Sequence, residues 1–192
     1  GSVQRDSDRV RISLRLVDAA TEAQIWANQF DRNLTAGNVF GIQSEVAIAV
    51  AAALRTTLPA AEKARLTAVP TRVLAAWEAY QLGNQRMARR SGRSLGEAEQ
   101  FMRRAIELDP GFALAFAGLS QALTLQATYG GAPLDATLTK AEQAVIQALT
   151  LDSSLAEAWG IAGLIASKRG RYDDAEMMLR RAIALNPNFA QA

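Results

Sequence analysis

The 192-residue chain contains no cysteine and no histidine. Without cysteine there is no disulfide, no thiolate nucleophile and no thiolate-held metal, and the redox character of the compartment is left open. Without histidine, the remaining general bases and nucleophiles are carboxylates, lysines and hydroxyls, and none are placed by a recognisable motif. No catalytic, metal-ligating or cofactor-binding residue is therefore assigned, and no cofactor is implied. Long hydrophobic runs are missing too. A membrane span needs ~18 consecutive apolar residues, whereas the longest apolar stretch, Val46 to Leu54, is short and alanine-rich. The N-terminus has no signal-peptide pattern. Charge of one sign is also scarce: 21 lysines and arginines face 19 aspartates and glutamates. The pI of about 9.3 thus reflects a small excess and not a basic field, and nucleic-acid binding by this segment gets no support. With 49% apolar and 21% charged residues, the composition is that of a folded globular chain.

What the chain does have is a phrase that occurs three times: Ala105-Ile106-Glu107-Leu108-Asp109-Pro110, Ala148-Leu149-Thr150-Leu151-Asp152-Ser153 and Ala182-Ile183-Ala184-Leu185-Asn186-Pro187. Each is followed at one offset by an apolar residue and an alanine (Phe112-Ala113, Leu155-Ala156, Phe189-Ala190) and preceded seven residues earlier by Ala98, Ala141 or Ala175. Ala148 and Ala182 are 34 positions apart; Ala105 and Ala148 are 43 apart, nine more. A period of 34 belongs to two-helix repeats.

In the best copy, Trp159, Ala162-Gly163, Ala166, Ala175, Leu179, Ala182 and Pro187 stand where a tetratricopeptide repeat has its large residue, small pair, packing positions and closing proline, and the region resembles that family. Physically, Gly163, Ala175 and Ala182 permit close helix approach, Trp159 and Leu179 are expected to fill the space between, and Asn186-Pro187 ends the second helix. The middle copy keeps Phe116, Leu119, Ala141 and Ala148 but has Ser153 in place of proline. Its extra residues are expected to lengthen the inter-helix loop at Tyr129-Gly130-Gly131-Ala132-Pro133. The first copy keeps Leu82-Gly83, Ala98, Ala105 and Pro110, with extra residues near Arg89-Arg90-Ser91-Gly92-Arg93. The resemblance implies about three repeats, near 73–112, 113–155 and 156–189, in a region spanning 69–192.

The first 68 residues read differently. Val10, Ile12, Leu14 and Leu16 alternate with Arg9, Arg11, Ser13 and Arg15, the pattern of a half-buried strand with a basic outer face. After Asp18-Ala19-Ala20-Thr21-Glu22, residues Gln24 to Phe30 return as a hairpin partner through a loop longer than a tight turn, since no glycine is present for one. Asn38 is placed to cap a helix with Val39, Ile42, Val46, Ala49, Val50, Ala53 and Leu54 on one face. A second helix is expected over Ala60 to about Thr67, with the domain boundary at Val69-Pro70-Thr71.

Gly1-Ser2-Val3-Gln4-Arg5, Arg9-Val10-Arg11-Ile12, Leu16-Val17-Asp18-Ala19-Ala20-Thr21, Ile25-Trp26-Ala27, Phe30-Asp31-Arg32 and Val39-Phe40-Gly41-Ile42-Gln43-Ser44-Glu45-Val46 resemble the closing half of a TolB-like domain. This domain precedes tetratricopeptide repeats in bacterial adenylate cyclase-type and winged-helix regulatory proteins. The chain begins inside that pattern, which implies a piece of a longer protein. The apolar face of Val10, Ile12 and Leu14 then lacks an assured cover, so self-association of the isolated chain is expected.

Clusters that resemble chemistry have plainer readings. Arg9, Arg11 and Arg15 suit an anion, but equally the solvated face of a strand protected by charge, which is preferred. Arg86, Arg89, Arg90 and Arg93 form a denser basic group without interleaved aromatics or a phosphate loop. Asp173-Asp174 precedes Ala175, where charge complements a helix N-terminus, and Glu97 and Glu99 belong to no catalytic or metal motif. Phe112, Phe116 and Trp159 recur with the period and read as core.

Stacked helix pairs line a concave surface with the first helix of each repeat. In register this groove exposes Leu114, Ala117, Gln121, Thr124 and Leu125, then Glu157, Gly160, Leu164, Ser167 and Lys168. These are mostly small or apolar. Glu157 and Ile161 occupy places where some members of the family clamp a C-terminal carboxylate, so a chaperone-tail receptor is disfavoured. The expected architecture is mainly α: an N-terminal α+β remnant (hairpin plus helix), then an α-solenoid. The expected role is non-catalytic binding of a protein or apolar peptide in a bacterial signalling protein, in the cytoplasm, or in the periplasm if a span lies upstream. The alternatives are a regulatory segment of an adenylate or guanylate cyclase and a stand-alone scaffold.

Overall fold

A computed structural model describes residues 1–7, 9–33, 36–54 and 59–188. The chain divides into two compact units, Gly1–Arg72 and Val73–Ala192.

In the first unit, β1 (Ser2–Asp6), β2 (Arg9–Val17) and β3 (Gln24–Asn33) form an antiparallel sheet in chain order. The alternation in β2 does what its period dictates. Val10 is buried, Ile12, Leu14 and Leu16 are half-buried, and Arg9, Arg11 and Arg15 are exposed. Ile12 stands opposite Phe30 on one side and Val3 on the other. The strand β1 is absent from the sequence expectation, because Ser2–Asp6 is fully exposed and shows no apolar alternation. It is held by backbone pairing to β2 instead. Asp18 builds the longer loop after β2: its Oδ1 accepts from the Ala20 and Thr21 backbone N–H groups at 2.8 and 2.9 Å. Those bonds hold its carboxyl below the ordinary value.

Helix α1 (Ala36–Ala53) packs against β3, and α2 (Ala60–Thr67) packs against α1. Because α1 begins at Ala36, Asn38 lies in its first turn and is not its cap. Ile42 is buried, whereas Val46, Ala49, Val50 and Ala53 are half-buried and Leu54 is exposed. Arg32 of β3 pairs with Glu45 of α1 at 2.7 Å. Ser44 Oγ donates to the Leu66 carbonyl and ties α1 to α2. On the face without an assured cover, Val10 is only 8% exposed, whereas Ile12 and Leu14 stay half-buried.

Among the described residues, the second unit is built from three helix pairs: α3 (Leu74–Met87) with α4 (Gly92–Leu108), α5 (Ala113–Tyr129) with α6 (Leu134–Leu151), and α7 (Ala156–Lys168) with α8 (Tyr172–Leu185). The repeated phrase ends α4, α6 and α8 in the same way. Asp109, Asp152 and Asn186 take φ/ψ near −143/94, −147/97 and −141/95. Proline after Asp109 and Asn186 disfavours continued helix. Ser153 cannot do that, yet the conformation persists, because the side-chain oxygen of the capping residue supplies a second device. Asp109, Asp152 and Asn186 each accept from the backbone N–H two residues on, at 3.0, 2.8 and 3.2 Å. This local turn reverses the chain without proline.

Of the nine extra residues of the middle repeat, eight are in its helices and one is in its loop. Helix α5 has 17 residues against 13 in α7, and α6 has 18 against 14 in α8. The connection Gly130–Pro133 exceeds the Arg169–Arg171 connection by one residue. The insertion lengthens each helix by about one turn, because 3.6 residues per turn lets a four-residue insertion keep the packing face.

Alanine dominates the helix interfaces: Ala98, Ala105, Ala141, Ala148, Ala158, Ala166 and Ala182 are all fully buried. Leu95, Met102, Leu138 and Ile165 fill the spaces between. Trp159 departs from its expected role. It is half-buried, and its Nε1–H donates to the Ser153 carbonyl at 2.9 Å, which anchors α7 to the preceding turn. Ser120, fully buried, donates to the Ala141 carbonyl at 2.7 Å and joins α5 to α6.

Candidate peptide groove

Helices α3, α5 and α7 lie side by side, with α5 touching both neighbours. Between α5 and α7 is a cavity of about 360 Å³. Its walls are Thr124 and Leu125 from α5 and Gly160, Ile161 and Leu164 from α7, with Leu179 of α8 behind. Gly160 contributes no side chain to this wall. Gln121 and Ser167 add polar groups to the wall.

Of the ten residues expected in the groove, Gln121, Thr124, Leu125, Gly160, Leu164 and Ser167 line this cavity. The other four are elsewhere. Leu114 packs against the cluster around Phe112, and Ala117 is 2% exposed within the core. Glu157 is half-buried. Lys168 is exposed, one helical turn beyond Leu164. Tyr80, of the aromatic group under Leu114, has its hydroxyl pKa raised, first by burial and then by the Glu157 charge, against the opposing Asn84 hydrogen bond.

Two rim residues were not legible as such. Arg90, in the connection after α3, has φ +48, and its guanidinium sits 6.0 Å from the centroid of the Tyr129 ring. Both line the cavity. Tyr129 is the last residue of α5, carried to the rim by the extra turn. The available signal was the helical insertion itself, read in sequence as loop.

Half of the basic group around Arg90 is paired within the fold. Arg86 and Arg93 both pair with Glu97, at 3.3 and 3.2 Å, which accounts for that carboxylate. Glu99 accepts from Gln126 Nε2 at 2.9 Å and from Arg103 at 2.9 Å. Burial pushes its pKa up, but the Gln126 hydrogen bond and Arg103 outweigh it, and the carboxyl sits below its ordinary value of 4.5. A carboxyl depressed in the folded state contributes stability that is complete above the unfolded pKa and is lost as pH falls through the folded one. Gln126→Ala should therefore cost about 1–2 kcal/mol at pH 7 and visibly less at pH 3.5, checked by urea unfolding at both. Equal costs at the two pH values would refute the role given to ionised Glu99. Among the described residues no group of acidic side chains is arranged to hold a metal ion. No helix among them is long and apolar enough to cross a membrane.

Three stacked helix pairs with a grooved inner face define a helix-repeat scaffold. More narrowly, residues 156–189 match the model of the Tetratricopeptide repeat family, and the helical unit has the architecture of a tetratricopeptide-repeat solenoid. The Arabidopsis OM64 TPR domain superposes with a TM-score of 0.52 at 21% identity, over 62% of this chain and 88% of that one. The first TPR of Spaghetti (RPAP3), bound to the HSP90 peptide SRMEEVD, does so with a TM-score of 0.52 at 17% identity, over 62% and 87%. Likeness at these identities concerns the fold. In sequence, the chain is 36% identical over 181 residues to a Rhizobium meliloti (strain 1021) protein named "Putative adenylate cyclase 3". That match takes in 92% of this chain and 30% of the relative's length.

Proposed function

We propose that this chain is a non-catalytic protein-interaction and regulatory segment of a larger bacterial signalling protein, and that its groove holds an apolar peptide or partner segment. The observation that carries the reading is the 360 Å³ cavity between α5 and α7, whose apolar wall keeps Leu164 45% exposed. A large aliphatic side chain left open on the inner face of a rigid scaffold is surface available for a partner. The Spaghetti neighbour is solved with a peptide, which supports the same use of the fold. The name of the Rhizobium relative supports a signalling context in which an output domain outside this chain, a nucleotide cyclase, is regulated. Residues 1–68 belong in this reading to the end of a TolB-like domain, residues 69–192 are the repeat region, and the compartment is the cytoplasm.

The test is selection of displayed linear peptides on the whole chain. Peptides selected on the native chain should lose binding about tenfold or more to Leu164→Glu. That substitution changes an exposed position and should leave the thermal midpoint within a few degrees. Selected peptides that bind Leu164→Glu as well as the native chain would place the site elsewhere.

A further inference from the structure

The cavity rim carries a cation with no carboxylate partner among the described residues. Arg86 and Arg93 share Glu97, Arg103 pairs with Glu99, and Arg171 pairs with Glu142 and Asp174. Arg90 differs. Among the described residues it has no carboxylate partner, and its guanidinium lies over the Tyr129 ring at the mouth of the cavity. The ring contact draws the guanidinium toward Tyr129, and because Arg90 is exposed its N–H donors are left to solvent. Its backbone is also held in the left-handed region, φ +48, an uncommon state for arginine that the surrounding connection must maintain. The residue is thus pre-positioned at one end of an apolar pocket.

Lys168 lies one turn past Leu164 on α7 and is likewise exposed without an ion pair among the described residues. On the cavity wall itself Arg90 is the charged residue, and the rest is aliphatic, aromatic, hydroxyl, amide or glycine. Charge complementarity therefore selects an anion at the rim, and shape selects an apolar side chain below it.

Building on the proposed groove, we infer that its partner is an extended peptide segment presenting an aliphatic or aromatic side chain to the Leu125–Leu164 pocket and an aspartate or glutamate within two residues of it to Arg90. An extended chain advances ~3.3 Å per residue, so a carboxylate one or two residues from the buried side chain reaches the rim while that side chain stays seated. A planar guanidinium stacked on an aromatic ring engages a carboxylate through two parallel N–H···O bonds. The acidic residue gives orientation and selectivity, and the apolar one gives most of the affinity.

The experiment uses the peptides selected on the whole chain. The expected result is enrichment of Asp or Glu within two residues of Leu, Ile, Met or Phe. The corresponding Gln or Asn peptide should bind about three- to tenfold more weakly. Arg90→Asn, a residue that tolerates positive φ, should weaken the acidic peptide by the same factor and leave the amide peptide unchanged. The amide-peptide comparison uses only native protein, so it stands even if Arg90→Asn fails to fold. Apolar peptides that are enriched without acidic bias, or that bind Arg90→Asn unchanged, overturn this inference and leave the groove reading intact. If no peptide is enriched, both fall.

Discussion

Replacing Phe112 by alanine is expected to destabilise the helical unit by about 3–5 kcal/mol, the usual cost of truncating a fully buried phenylalanine. Phe112 has no exposed surface. Its ring centroid is 5.3 Å from that of Tyr80 and 6.3 Å from that of Trp77, both tilted. The rest of its cluster is Ala76, Ala79, Ala105 and Ala115, with Ile106, Leu108 and Leu114 at the edge. Alanines have no rotamers with which to collapse into the void, so the cavity term is paid nearly in full. The equivalent Leu155 is half-buried, and Leu155→Ala should cost less, about 1–2 kcal/mol. Urea unfolding followed by circular dichroism measures both. A cost below 1 kcal/mol for Phe112→Ala would mean that the first and second helix pairs do not close around this ring.

Gly163→Val should cost about 2–3 kcal/mol by forced overpacking. A Cβ at this position would lie 2.8 Å from Leu179 Cγ and 3.2 Å from the Ala175 carbonyl oxygen. Leu179 could turn aside, but the α8 backbone cannot without parting the last pair. Gly83 and Gly118 are less exacting, since there the nearest atoms are the flexible end of Met102. Gly96 is the control: a Cβ there meets nothing within 4 Å. Gly96→Ala in the second turn of α4 should therefore stabilise by about 0.5–1 kcal/mol through helix propensity alone. Opposite signs at two helical glycines would separate packing from propensity; a stabilising Gly163→Val would refute the close α7–α8 approach.

The candidate site was legible in part. Gln121, Thr124, Leu125, Gly160, Leu164 and Ser167 were readable because a 34-residue period fixes which turn of each first helix faces inward. Arg90 and Tyr129 were not, because their pairing depends on how far α5 extends. A four-residue insertion in a helix and one in a loop look alike when Gly130-Gly131 follows. Likewise Arg86 and Arg93 read as a basic patch until α3 and α4 bring Glu97 to both.

Composition, the thrice-repeated phrase and the alternation in β2 by themselves determined that this chain is mostly helical, that its helices come in pairs, and that a strand with a basic outer face precedes them. Those features are local, and periods of 34, 3.6 and 2 are written residue by residue. Only the tertiary structure decided where the nine extra residues went, that Ser2–Asp6 joins the sheet, that Trp159 anchors a turn and that Arg90 faces a pocket. Each of these depends on which groups distant in the chain meet, and such meetings are set by packing and backbone pairing that leave no period behind.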